Sequence, residues 1–250
     1  MNAYVAAIAL LTLRIGPVFV LSPPFSLVRV PQRVRVCLVL ALAALLAPVL
    51  PMALPANEGA FVLSALSELL IGLTFAVALQ MAFAALSFAG RVLDVQAGYG
   101  LALVIDPSTR AQSPLFGTIF SLAAAAIFFA SNGHLELVRV LAASAHAMPI
   151  GLPVMAGTPQ ALIGYLGLLM STAFGAIAAV TVTLFLIDLT IALLSRALPQ
   201  MNALMLGLQV KTIATLVMLT LSAGLLAPVA LRLIRHALDF MAALGPGGAP

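Results

Sequence analysis

Four ionisable side chains stand well inside long apolar runs of this sequence: Arg14, Glu68, Asp188 and Lys211. An ionised group at the centre of a lipid-exposed helix costs roughly 2.5–3.5 kcal/mol on insertion scales. Such groups must face protein, water or one another. Two chemistries fit. The acids could form an ion or proton relay, or the acids and bases could pair within the chain or between subunits. Relays usually gather several acids at one depth, and only Glu68 and Asp188 are available. His134, His146 and His236 have no second His or Cys at ligand spacing, so no metal site is expected. Cys37, the one cysteine, lies in an apolar run and reads as packing. Asp94 and Asp106 are twelve residues apart with Pro107 beside the second, and nothing else supports a paired-carboxylate site. GxSxG, HExxH and P-loop patterns are absent. These residue types point away from an enzyme and from any cofactor.

The elements that must position these groups follow from composition. Of 250 residues 64% are hydrophobic, with eleven Lys and Arg against seven Asp and Glu. Soluble domains carry roughly a quarter charged residues. The apolar runs are long and continuous rather than alternating, and only helices and closed barrels satisfy the backbone in lipid. The expected class is an all-α integral membrane protein. The cations are scattered, apart from Arg29, Arg33 and Arg35, which argues for topology signals and against nucleic acid. The start of the chain lacks a basic n-region, so its first segment is expected to be retained.

About six long hydrophobic helices are expected. They cover residues 4–21, 36–50, 61–89, 115–130 and 161–194, and a last one from 203 onward that includes Pro228. The second is short for a span, and the third exceeds the ~20 residues a perpendicular span needs. The fifth, at ~1.5 Å per residue, would reach about 50 Å, so it kinks, projects beyond the bilayer or is two pieces. Gly164, Gly167 and Gly175 are candidate bends, and Ser171 with Gly175 makes a small-xxx-small pair. Residues 135–147 could form a short amphipathic helix, with a Pro- and Gly-rich loop after it. One domain over 1–250 is expected, with a flexible tail at about 245–250. Loop cations favour Arg29, Arg33, Arg35, Arg91, Arg110 and Arg196 on the cytoplasmic side and both termini outside.

Residues 90–114, GRVLDVQAGYGLALVIDPSTRAQSP, concentrate polar groups between two apolar segments. Non-helical backbone at membrane depth must be buried in protein or line a water-filled cavity. Pro107 biases Asp106 away from helix, and Pro114 breaks the chain again. Gly98 and Gly100 permit a tight reversal, and Ser108, Thr109, Gln112 and Ser113 can bond backbone groups. From the residues alone, a solvated cytoplasmic loop and a segment lining a pore both stand.

Several short pieces follow in order: VPQRVR (30–35), SELLIG (67–72), AG with Asp94, Gln96 and Gly98 (89–98), Asp106–Pro107, Asn132–Gly133–His134, MPIG (148–151) and LPQMN (198–202), the last holding Pro199, Gln200 and Asn202. By their order and spacing the chain resembles the FliR family of flagellar and type III secretion export proteins over nearly its whole length. It departs at GLQVK (207–211), where proline is expected near Gln209. The resemblance implies paired helical hairpins, some lifted out of the plane of the bilayer. It implies a non-enzymatic, pore-forming subunit of the flagellar export gate in the bacterial inner membrane, at the flagellar basal body. FliP and FliQ would be its assembly partners, FlhB and FlhA further components, and unfolded flagellar proteins the cargo. It further implies that residues 100–115 act as a pore plug; the matching residues are Gly100, Asp106, Pro107, Ser108, Thr109, Arg110, Gln112 and Pro114. The alternatives are the homologous subunit of a virulence-type secretion system and a secondary transporter.

Overall fold

The computed structural model describes residues 3–27, 30–53, 55, 57–99, 114–153, 158–197, 200 and 202–244. Eight helices follow one another among them: α1 (Ala3–Leu21), α2 (Pro23–Leu27), α3 (Gln32–Leu46), α4 (Glu58–Gln96), α5 (Leu115–Ala130), α6 (Gly133–Ala147), α7 (Pro159–Ala197) and α8 (Ala203–Ala243). The only β feature among the described residues is an isolated parallel bridge between Met52 and Ile150. The all-α membrane class expected from composition is the one observed, and the count of six is approximate. All six apolar segments are helical, and 135–147 falls inside α6. Four helices (α1, α4, α7 and α8) are long and apolar enough to cross a membrane. A fifth span results if α5 and α6, bent by 72° at their junction, count as one.

Boundaries move for local reasons. The second segment starts earlier, at Gln32, because Pro31 sits at the N-cap, and Pro48 follows its end. The third runs on to Gln96, so GRVLDVQ is helix rather than loop. No proline interrupts it, and Gly98, with φ of 88°, turns the chain off its end. The fifth is one helix of 39 residues, not two pieces. At 207–211, where the resemblance led us to expect a proline, α8 continues unbroken, and it continues through Pro228 as well. Side-chain oxygens cap three of the long helices at their third turn-forming N–H. Asn57 accepts from Ala60 N at 2.7 Å, Thr158 from Ala161 N at 3.3 Å and Asn202 from Met205 N at 3.3 Å.

The chain divides into two compact units, with the divisions falling inside α4, α5, α7 and α8. Unit 1 comprises 1–83, 125–169 and 233–250, and unit 2 comprises 84–124 and 170–232. In unit 1, α1 and α3 form an antiparallel hairpin. Tyr4 donates to Ala44 O near one end (3.0 Å), and Arg35 donates to Val20 O at the other (2.7 Å). The core of unit 1 is built from Leu10, Leu11, Val18, Ile71, Phe75, Leu79 and Phe128, all 2% exposed or less. In unit 2, the end of α4 runs antiparallel to the start of α5, with Gly90 on Gly117. The facing parts of α7 and α8 meet at Ile191 and Gly207.

Candidate functional site

Unit 1 holds one sealed polar knot. Arg14 of α1 and Glu68 of α4 are both 0% exposed. The guanidinium grips the carboxylate with two nitrogens, Nε to Oε2 at 2.5 Å and Nη2 to Oε1 at 3.0 Å. Nη1 donates to Met148 O at 2.9 Å, and the Gly151 N–H donates to Glu68 Oε1 at 3.0 Å. The 148–151 turn is itself fixed by residues 51–53, where Ala53 N donates to Ile150 O (2.8 Å) and Ile150 N donates to Pro51 O (3.2 Å). Ser64 donates to Gly151 O at 2.6 Å, and Ser67 to Leu152 O at 3.2 Å. Ser64, Glu68 and Gly72 recur every fourth residue, so they form one stripe of α4. Gly72 is needed for the approach: a Cβ there would lie 2.5 Å from Arg14 O. Gly151, with φ of 93°, faces Ala53 O at 2.1 Å from its would-be Cβ. A buried ion pair gains little over apolar packing, but losing one partner costs about 3–5 kcal/mol. The knot therefore locks α1, α4 and the 148–152 turn together.

The second expected pair lies in unit 2. Lys211 of α8 meets Asp188 of α7, but the pair is not sealed: the side chains are 18% and 50% exposed. The structure thus joins Arg14 to Glu68 and Lys211 to Asp188. Also within unit 2, α4, α5, α7 and α8 line a partly open apolar pocket of about 330 Å³, with Leu86, Phe120, Ile177, Val180, Leu216 and Leu226 among its lining residues.

The third site brackets the polar stretch. Asp94, 6% exposed near the end of α4, accepts from Phe116 N (Oδ1, 3.0 Å) and Gly117 N (Oδ2, 3.2 Å). These are two of the N–H groups that the first turn of α5 leaves without a helical partner. A carboxylate there is further favoured by the positive end of the helix. The cap is thus supplied by a residue 22 positions earlier in the chain. Gly90, one turn before Asp94 on the same face, brings α4 onto the Phe116–Gly117 backbone; a Cβ on it would lie 2.6 Å from Gly117 N. Tyr99 lays its ring edge-on against Phe116 at 5.7 Å. Asp94 is therefore committed to α5. Of the plug residues, Pro114 precedes α5, while Gly100, Asp106, Pro107, Ser108, Thr109, Arg110 and Gln112 lie outside the described residues.

The remaining motif residues serve the turns. Asn132 adopts a left-handed conformation (φ 60°) between α5 and α6, and Gly133 packs so closely on Phe128 that a Cβ would lie 2.6 Å from its ring. His134 rests against Phe129 at 5.7 Å, with Nδ1 buried and without a hydrogen-bond partner. Gln96 likewise buries Oε1 without a partner, Gln200 lies exposed in a turn and Pro199 lies outside the described residues. Among the described residues no three His, Cys, Asp or Glu side chains are grouped to hold a metal. Sequence reasoning missed Ser64, Gly72, Gly90 and Gly151 as members of these sites. The signal was available for three of them: small residues four positions from Glu68 or Asp94, hence on the same helical face.

Residues 5–237 match the family described as bacterial export proteins, family 1. The chain is 30% identical over 201 residues to the flagellar biosynthetic protein FliR of Escherichia coli strain K12, covering 78% of this chain and 76% of that protein. To the FliR of Bacillus subtilis strain 168 it is 31% identical over 219 residues, covering 85% and 84%. The surface presentation of antigens protein SpaR of Shigella sonnei is similar over a shorter range, 27% over 146 residues, or 58% and 57%.

Proposed function

We propose a place in the flagellar export gate for this chain, which belongs to the bacterial export proteins of family 1 and is a membrane component of a type III export apparatus. In this reading it is the FliR-type structural subunit. It lies in the bacterial inner membrane at the flagellar basal body and assembles with FliP and FliQ around a pore. FlhA and FlhB join the assembly, and unfolded flagellar proteins pass through it. The subunit catalyses no reaction. Residues 100–115 act as the plug of the resting pore.

The observation that carries a subunit role is the unburied apolar surface of α7. Only 17% of its most apolar window is buried within the chain, against 50% in α1 and 56% in α4. Ile163 (71% exposed) and Leu193 (62% exposed) lie at opposite ends of that surface. Thirty residues separate them, about 45 Å along the helix. A hydrocarbon core of about 30 Å covers both only at a tilt beyond the usual 0–40° range. Protein must cover what lipid leaves, which favours a chain built to assemble. The greater span and identity of the flagellar matches favour the flagellar system over the virulence one.

Two experiments test the reading. The tagged chain, expressed with FliP- and FliQ-like partners from the same genome, should co-purify with both; isolation as a stable monomer that transports by itself would sink it. Expressed in a flagellar strain lacking its own FliR, the chain with its partners should restore flagellin export. Restoration of injectisome secretion alone would move it to the virulence system, to which the SpaR similarity already points as the second choice.

A further inference from the structure

Twenty uncharged residues of α8, 212–231, separate Lys211 from Arg232. At ~1.5 Å per residue they measure about 30 Å, the thickness of a hydrocarbon core. Lys211 is paired with Asp188. Arg232 is exposed, donates from Nε to Pro228 O at 3.4 Å, and makes no ion pair among the described residues. Between these two cations lies the apolar pocket of unit 2. We propose that the pocket and Arg232 together bind an acidic phospholipid, with one acyl chain in the pocket and the phosphate at the guanidinium. Such a site requires only that the chain reside in a membrane, whichever export system it serves.

The pocket has the chemistry of a hydrocarbon site. Its floor is Leu86, Phe120, Ile177 and Val180, each 4% exposed or less. Its rim includes Ile119, Leu216 and Leu225, each 43% exposed or more. Leu216 and Leu225 lie inside the uncharged span, so the mouth opens on the flank of the helices, where lipid lies. The Thr220 hydroxyl beside them already donates to Leu216 O at 2.7 Å. An apolar cavity of about 150 Å³ stays dry and takes a benzene ring. At about 330 Å³ this one has room for a length of acyl chain.

Distances along α8 fit a single lipid. The α8 wall of the pocket runs from Leu216 to Leu226, about 15 Å. Arg232 lies six residues beyond Leu226, about 9 Å further. The far end of the pocket is thus about 24 Å from Arg232 along the helix axis. Half of a bilayer, headgroups included, is about 20–22 Å, so at an ordinary tilt a chain that ends in the pocket begins at the level of Arg232. The side agrees as well. Leu225 and Arg232 are seven residues apart on a helix that continues through Pro228, so rim and cation share one side of α8. The long arginine stem carries the guanidinium outward to the headgroups. Its planar fork holds a phosphate through two N–H groups, and among the described residues Nη1 and Nη2 of Arg232 have no partner. An apolar side chain from a partner would fill the pocket but would leave this cation without its counter-charge.

The test uses the full chain, alone and assembled with its FliP- and FliQ-like partners, in nanodiscs of phosphatidylethanolamine. The probe is phosphatidylglycerol with a diazirine near the end of one acyl chain, compared with a phosphatidylethanolamine probe of the same chains. Modified residues are mapped by mass spectrometry. Modification should concentrate on Leu86, Phe120 and residues 216–226 in both preparations. The phosphatidylglycerol probe should exceed the other about fivefold, the ratio that about 1 kcal/mol per surface cation brings. Arg232→Gln should abolish that ratio while modification stays in the pocket. Ala223→Phe, which places a ring at the mouth, should lose most of the pocket modification. Even modification of all exposed apolar residues of α8, Ile213 and Leu221 included, would overturn the site, since that is the pattern of surrounding lipid. Pocket modification that appears in the lone chain and vanishes in the assembly would overturn it too, and would give the pocket to a partner's side chain. If Ala223→Phe lowers the yield, Arg232→Gln carries the test, and an unchanged ratio in that variant overturns the proposal. The lone-chain measurement needs no partner, so its outcome is distinct from failure of co-purification with FliP- and FliQ-like proteins.

Discussion

Among the described residues two ion pairs join neighbouring helices, one in each unit, and they differ in nearly everything but chemistry. Arg14 and Glu68 are fully buried, bound through two nitrogens, and surrounded by further hydrogen bonds from Gly151 and to Met148. Asp188 and Lys211 share one contact, and half of the Asp188 side chain is open. Their surroundings differ in the same direction. Around Glu68 the glycines are filled: Gly72 meets the α1 backbone and Gly151 meets Ala53. On α7, Gly164, Gly167 and Gly175 meet nothing within 4 Å. The difference teaches where this chain completes itself and where it does not. Unit 1 satisfies its buried charges internally. The α7 and α8 faces leave apolar surface and a half-open carboxylate that the chain itself does not cover.

The comparison can be broken at the sealed pair first. Glu68→Ala should cost about 3–5 kcal/mol, because Arg14 is left charged and buried. Thermal unfolding in detergent, followed by helical circular dichroism, would register a large fall. The double variant Arg14→Met with Glu68→Leu should recover most of the loss; a double variant as unstable as the single would mean that the knot stabilises beyond charge compensation. Next comes the glycine contact. Gly72→Ala forces α4 away from the α1 backbone and should cost about 1–3 kcal/mol. The same change at Gly164 should have the opposite sign, raising stability by about 0.5–1 kcal/mol, since an open helical glycine only loses by its flexibility. Equal effects at the two positions would erase the contrast between the regions. The smallest effect belongs to the open pair. Asp188→Asn should change the stability of the isolated chain by no more than about 1 kcal/mol, as expected of a half-exposed pair. A loss comparable to that of Glu68→Ala would mean that Asp188 is sealed in the folded chain after all.

The Asp94 site stands between these extremes. It is buried, though less completely than the Arg14 knot, and it bonds backbone rather than a countercharge. Its carboxylate acts where a local Ser, Thr or Asp would normally cap a helix. Pro114 and Leu115 supply no such side chain at the start of α5. Nothing local to the start of α5 announces Asp94, which lies 22 residues before Phe116 and which only folding brings to it.

By itself the sequence determined the class, the helices and most of their ends. Helix formation and capping depend on groups within about four residues of one another, so continuous apolar runs, Pro31, Asn57, Thr158 and Asn202 announce their effects locally. It also determined that Arg14, Glu68, Asp188 and Lys211 needed partners, since lipid offers them none. Tertiary structure alone decided which partner each took. Arg14 and Glu68 are 54 residues apart, and nothing local distinguishes that pairing from Arg14 with Asp188. The first part of the 90–114 stretch, GRVLDVQ, carries polar residues that suit loop or helix; in the fold it is helix, with Gly90 and Asp94 packed on α5. The glycines divide the same way. Gly72 and Gly164 are identical letters inside apolar helices, and only the presence of another backbone against the first makes one a requirement and leaves the other open.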